Sequence, residues 1–263
     1  MKNLNDIYES LLDDEDIIAN ETEIYIKVKN FLDDHYKFSK PYKIKHDKNG
    51  KYIVDCIDGR ITLKTSSLIN LTNGEFVFGV CDEFNCDDCY KLVSLEGSPE
   101  IVRYRFSCAN CDSLKTLKGA PKSITGVFDC TNCNRLESIK GLPKKIDGSV
   151  LVQMCRSLKT LEGGPEQVLG DFNCSRCDKL KNLKGAPKVV DYCFDCSYGY
   201  LTSLEGSPTY VGGDFDCDNN DKLESLKGCP KEVKGHFNCQ ACGQWFETRY
   251  VLDLCDVGGH IIN

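Results

Sequence analysis

The residues best equipped for chemistry are paired cysteines. Cys86 and Cys89 are followed by Cys108 and Cys111, a C-x2-C-x18-C-x2-C spacing. Thiolates so spaced are tetrahedral zinc ligands in many small domains. Cys174/Cys177 and Cys239/Cys242 repeat the pair. A second constellation is Asp214, Asp216 and Asp218, whose alternation would put three carboxylates on one face of a strand. Oxygen ligands of that kind suit a weak Ca²⁺ or Mg²⁺ site, or plain solvation. The histidines His35, His46, His236 and His260 are scattered, and no Gly-rich phosphate loop, G-x-S-x-G or H-E-x-x-H motif occurs. No catalytic residue is therefore assigned, and a non-enzymatic protein is expected.

The elements that carry the cysteines weigh against metal. A unit of about 22 residues recurs from Phe84 to Cys242, with the pattern F-x-C-x-x-C-x-x-L-x-S/T-L-x-G-x-P-x-x-V/I-x-G. Pro99, Pro121, Pro143, Pro165, Pro187, Pro208 and Pro230 mark it, at a spacing of 22 broken once to 21. So regular a gap means one unit stacked many times. The zinc-like spacing is a by-product of that period. The pair also fails where a ligand could not: Val152 replaces a first cysteine, and Gly199 and Asn220 replace second ones. The 18 cysteines thus read as reduced thiols, most of them in two columns, packing as small hydrophobes with a weak S–H donor. In the second column the thiol can satisfy loop backbone groups. No metal and no cofactor is expected, although same-column neighbours would lie within disulfide reach on oxidation.

Eight rungs begin at Phe84, Phe106, Phe128, Val150, Phe172, Phe194, Phe215 and Phe237. Within F-x-C the Phe and Cys should point inward and the middle residue outward. Stacked rungs predict a parallel sheet, roughly 40 Å long at about 4.8 Å per rung. Leucine columns such as Leu114/Leu117 fill the interior, and Val102, Ile124, Ile146, Val168, Val190, Val211 and Val233 re-enter the core after each Gly-x-Pro turn. The expected fold is a mainly β repeat solenoid with a small α+β N-terminal cap. The predicted divisions are a capping region 1–83, a solenoid 84–242, and a C-terminal cap 243–263 holding the only Trp.

Before the rungs, Ile7, Leu11, Leu12, Ile17 and Ile18 are spaced for an apolar helical stripe beside an acidic run at Asp13, Asp14, Glu15 and Asp16. A second helix is predicted from Glu23 to Tyr36, with Ile24, Ile26, Val28 and Phe31 inward. Asn49-Gly50 predicts a β-hairpin turn within Lys43 to Cys56. Ile61, Leu63, Leu68, Ile69 and Leu71 suggest a degenerate first rung.

Phe-x-Cys-x-x-Cys-x-x-Leu resembles the leucine-rich repeat core L-x-L-x-x-N/C-x-L, with one extra residue before the last Leu. Cys111, Cys133, Cys155, Cys177, Cys242 and Asn220 occupy the family's Asn/Cys position. The repeat is similar to the short bacterial class in which a Pro-containing turn replaces the convex helix. The resemblance covers 84–242 and implies a curved leucine-rich-repeat-like coil whose strand face binds macromolecules. Phe and Cys replace the family's strand leucines, and Cys196-Ser197-Tyr198-Gly199-Tyr200-Leu201 is a shortened rung. An acidic N-terminal helix before Cys/Lys-rich repeats further resembles uncharacterised proteins of bacteriophages and gut bacteria.

Composition narrows the partners. Net charge is −7, and residues 1–34 hold 3 Lys against 10 Asp/Glu, so the remainder balances at 30 against 30. That argues against nucleic acid, and no apolar run long enough for a membrane span or signal peptide occurs. A cytoplasmic protein is expected. Its candidate binding surface is the acidic strand face: Asp129, Leu151, Gln153, Asp171, Asn173, Arg176, Asp195, Tyr198, Asp214, Asp216 and Asp218. Leu151 and Met154 make the fourth rung an apolar interruption, a candidate anchor for a protein partner. Lysines recur on the turn side among Glu96, Glu137, Glu162 and Glu205, which suits solubility. The expected function is a protein–protein interaction scaffold. The alternatives are a zinc-stabilised cysteine-pair protein and a repeat-targeted phage or bacterial effector with its activity in the N-terminal region.

Overall fold

The computed structural model describes residues 15–47, 49–64 and 67–263, the side chains of 15–22 aside. The stripe and acidic run expected at Ile7, Leu11, Leu12, Asp13 and Asp14 lie outside the described residues, as do the side chains of Ile17 and Ile18. One helix, α1, spans Glu15–His35. It therefore begins eight residues before the predicted Glu23 and stops one short of Tyr36, which opens strand β1 (Tyr36–Phe38). Val28 and Leu32 are fully buried, whereas Ile26, predicted inward, is 49% exposed. The i to i+4 pair sets the inward face, and Ile26 lies off it. Strands β2 (Lys43–His46) and β3 (Tyr52–Leu63) form the predicted antiparallel hairpin, with Gly50 at φ +77° in its turn.

From β3 onward the chain coils. β3 pairs in parallel with β4 (Phe76–Asn85), and β4 with β5 (Ile101–Ser107). Ile61 pairs with Phe84 and is fully buried, so the degenerate first rung lies in the Phe column. Later strands are two or three residues long and stack in one register: Phe106, Phe128, Val150, Phe172, Phe194, Phe215, Phe237, Ile261. A repeat of one unit gives each strand an identical neighbour above and below, which is why the pairing is parallel and the fold a β-solenoid of about ten turns. The return half was not expected to form a sheet. It does: Ile146, Val168, Val190, Val211, Val233 and Val257 lie on a second parallel sheet of six two-residue strands. Translation by one period aligns the return backbone as well as the strand backbone.

The interior is made of ladders. Phe84, Phe106 and Phe128 stack at 5.4 and 5.5 Å between ring centroids, and Phe172, Phe194 and Phe215 at 5.3 and 5.6 Å. Each fully buried ring contributes about 1.5–3 kcal/mol, with about 0.5–1.5 kcal/mol more per aromatic pair. Val150 interrupts that stack. Each Gly-x-Pro turn holds its glycine at positive φ; at Gly119 (φ +86°) a Cβ would meet the Glu96 Cα at 2.4 Å. The turn therefore needs glycine both for its dihedral and for the contact between rungs.

At the N-terminal end α1 and β1 cover the first rungs through Phe31–Phe76, Tyr36–Phe78 and Tyr36–Phe84 ring contacts at 5.8, 5.0 and 6.2 Å. At the other end helix α2 (Thr248–Leu254) buries Val251, and Phe246 is buried beside it. The sequence period ends at Cys242, yet Asp256–Val257 and Ile261–Ile262 prolong both sheets by one more turn. Trp245, in this segment, is 68% exposed. Among the described residues no helix is long and apolar enough to cross a membrane.

On the turn side the lysines meet glutamates of adjacent rungs: Lys118–Glu96 at 2.7 Å, Lys159–Glu137 at 2.9 Å, Lys144–Glu166 at 3.0 Å and Lys184–Glu205 at 3.1 Å. These pairs are exposed and add little to stability.

Candidate functional site

The strand face is built by one backbone device repeated along the coil. The residue after each Phe position is Asn85, Ser107, Asp129, Leu151, Asn173, Asp195, Asp216 or Asn238. Six of these carboxylate or amide oxygens accept the N–H two residues on, for example Thr131 on Asp129 at 3.0 Å, Ser175 on Asn173 at 2.9 Å and Ser197 on Asp195 at 2.9 Å. This is an Asx turn, and it explains why six of the eight column positions are Asn or Asp. One position beyond that N–H the chain enters the left-handed region, with φ between 48° and 60° at Asp88, Asn110, Asn132, Met154, Arg176, Tyr198, Asn219 and Ala241. The main-chain N–H there donates to the next rung, as from Asp88 to the Ala109 carbonyl at 2.9 Å. The first task of many strand-face residues is this turn.

The predicted residues separate accordingly. Asp129 is not outward in the sense expected: it is 6% exposed, and Arg105 closes over it at 2.6 Å. The long guanidinium arm from the neighbouring rung takes it out of solvent. Ser107, in the same column, is fully buried and donates to Asp87 at 2.5 Å. Leu151 and Gln153 are half-buried. Asn173 donates to Asp195 at 2.9 Å, joining adjacent rungs. The Arg176 guanidinium lies 4.3 Å from the Tyr198 ring centroid. Asp171 is exposed and accepts from the Cys193 N–H at 3.0 Å; Asp214 is exposed and accepts from the His236 N–H at 2.6 Å.

Asp171, Asp195, Asp214, Asp216 and Asp218 thus share one end of the strand face, on rungs five to seven. Several carboxylates elsewhere are paired, as Asp55 is with Lys45 at 2.5 Å and Glu83 with Arg60 at 2.5 Å. Among the described residues none of these five meets a Lys, Arg or His within ion-pair distance. The consequence is visible at Asp216: burial, and then the neighbouring Asp218 and Asp195 carboxylates, push its carboxyl up to about 6, against the Asp218 N–H that favours the anion.

The cysteine columns have a different job. All 18 cysteines are free thiols, and the second-column thiols of Cys111, Cys133, Cys155, Cys177 and Cys242 donate to the carbonyl of the first column one rung earlier, while Cys89 donates to Asp87 on its own rung. Cys111 reaches the Cys86 carbonyl at 3.3 Å, Cys133 reaches Cys108 at 3.2 Å, Cys155 reaches Cys130 at 3.2 Å and Cys177 reaches Val152 at 3.3 Å. Asn220 does the same for Cys196 at 3.1 Å and also receives the Leu201 N–H at 2.9 Å, which closes the shortened rung where Gly199 has no side chain. Burial pushes the Cys174 and Cys196 thiols well up, and Cys177 up to about 12. Such thiols are neutral packing groups at physiological pH. Among the described residues no three His, Cys, Asp or Glu side chains gather as a metal site would require, the Asp214/Asp216/Asp218 run included.

Arg156 and Tyr200 were missed by sequence reasoning. They stand beside Arg176 and Tyr198 on the corner next to the strand face, and the one-residue deletion at Gly199 was the signal in the sequence. No family model matches the chain, and no curated protein and no solved structure is similar to it at a significant level.

Proposed function

We propose that this chain is a non-enzymatic protein-binding scaffold whose strand face, at rungs five to seven, receives a basic segment of a partner protein. The observation that carries the reading is the unpaired carboxylate group of Asp171, Asp195, Asp214, Asp216 and Asp218, with Asp216 held up to about 6. A fold pays for crowding like charges, and a cation supplied from outside would relieve that crowding. A rigid coil suits the task, because its ladder fixes the spacing of the carboxylates without loop ordering on binding. The resemblance to leucine-rich repeats belongs to the same proposal; the second-column thiols, bonded to loop carbonyls, support it.

The test is a charge change that keeps the turns. Asp171→Asn, Asp195→Asn and Asp216→Asn together retain the oxygen acceptors and remove three charges. Affinity capture with the unaltered chain should recover a basic partner that the triple variant, melting at or above the parent temperature, no longer holds. Equal recovery by both proteins would refute the strand-face assignment.

A further inference from the structure

A groove of about 480 Å³ runs along the corner of the coil between two columns of side chains. One column is Met154, Arg176, Tyr198; the other is Arg156, Asp178, Tyr200. The first is the left-handed column. At the preceding rungs it carries Asp88, Asn110 and Asn132, which suit positive φ and link by side-chain hydrogen bonds at 3.0 and 2.9 Å. At three successive rungs the sequence abandons Asn for Met154 (φ 60°), Arg176 (φ 57°) and Tyr198 (φ 54°). Long side chains are disfavoured there, so local stability is given up at three neighbouring sites. All three line the groove. Met154 is 40% exposed, Tyr198 48% and Tyr200 45%, the side-chain types that anchor interfaces.

Charge selects the occupant. Arg60, Arg103, Arg105 and Arg249 each hold a carboxylate. Arg156 and Arg176, both exposed, hold none among the described residues. Of the groove's own acids, Asp221 has Lys222 at 3.8 Å, whereas the Asp178 carboxylate meets no Lys, Arg or His within ion-pair distance among the described residues, so the two arginines still outnumber the uncompensated acid. The Arg176 guanidinium carbon lies over the Tyr198 ring, 4.3 Å from its centroid, and its N–H groups hold no carboxylate, so they can fork onto an oxygen pair. Three rungs cover about 10 Å, the length of roughly three extended residues.

We infer that this corner groove docks a short extended segment of a partner protein, carrying a carboxylate for Arg156 and Arg176 beside an aromatic side chain for Met154, Tyr198 and Tyr200. The inference rests on the reading of the chain as a binding protein and adds a second surface, of opposite preference, next to the acidic strip.

The probe is the acetylated, amidated peptide Glu-Glu-Phe, titrated into the full ¹⁵N-labelled chain, with Lys-Lys-Phe as its counterpart. Saturable shifts of the Arg156 and Arg176 Nε–H signals are expected with the acidic peptide, binding at least about tenfold tighter than the basic one. Arg156→Gln with Arg176→Gln should abolish them. Met154→Asn should weaken the peptide while raising the melting temperature by about 2–4 °C, since it restores the residue that the backbone prefers. The aspartate-to-asparagine triple variant should bind the acidic peptide unchanged, which separates a failure of the groove from a failure of the strip. Equal shifts with both peptides, no saturation at millimolar peptide, or displacement by a single-stranded oligothymidine that binds more tightly would each overturn the assignment.

Discussion

The thiol of Cys133 donates to the main-chain carbonyl of Cys108, 3.2 Å away and one rung earlier. The same bond recurs along the second column, whereas in the first column Val152 replaces a cysteine without disturbing the stack around it. The two columns are therefore unequal.

Valine separates them. Cys130→Val in the first column should cost less than about 1.5 kcal/mol, because volume is nearly conserved and a valine already fills Val152. Cys133→Val in the second should cost about 1–3 kcal/mol more, since the buried Cys108 carbonyl loses its donor. Urea midpoints of the two variants measure the difference, and equal midpoints would refute the donor role.

Gly119 and Gly50 have similar dihedrals, φ +86° and +77°, but different surroundings. At Gly50 nothing lies within 4 Å of an added Cβ; at Gly119 the Glu96 backbone does, at 2.4 Å. Gly50→Ala should therefore cost about 1 kcal/mol, the strain alone. Gly119→Ala should cost several times more, because two rungs must separate. Thermal melts of the pair test this.

The pH dependence follows from Asp216. Its folded carboxyl titrates near 6 and its unfolded one near 3.8, so the folded state holds the proton more tightly. Stability from this group is complete below about pH 4 and is lost as pH rises through 6. Asp216→Asn keeps the acceptor for the Asp218 N–H. It should raise stability at pH 7 by less than about 3 kcal/mol and flatten the profile between pH 4 and 6. A variant with the parent's profile would show that burial and the neighbouring carboxylates do not raise the Asp216 carboxyl.

Thiol labelling should follow burial. Cys174 and Cys196 are each 2% exposed and should react with a disulfide reagent only on unfolding. Cys193, Cys229 and Cys242 are partly exposed and should react before them; Cys193 should do so slowly at pH 7 and faster above, because burial and the Asp214 and Asp171 carboxylates raise its thiol. Mass mapping of labelled peptides against time reads the order.

Much of this molecule is written in its period. Phe106 and Phe128, Leu114 and Leu136, Gly119 and Gly141 are related by one translation of 22 residues, and a translation that regular makes each a spatial neighbour of the next. The inward Phe, Cys and Leu ladders and the Gly-x-Pro turns could be read without coordinates for that reason. Neighbours across columns are another matter. Whether Asp129 is open or lies under Arg105, whether Arg176 stacks on Tyr198, and whether Arg156 shares a groove with them all depend on the path of the loop between columns. That path is set by the Asx turn and the positive φ that follows it. Both are backbone states, and several residue types can satisfy them, so they leave a weaker mark on the sequence than burial does.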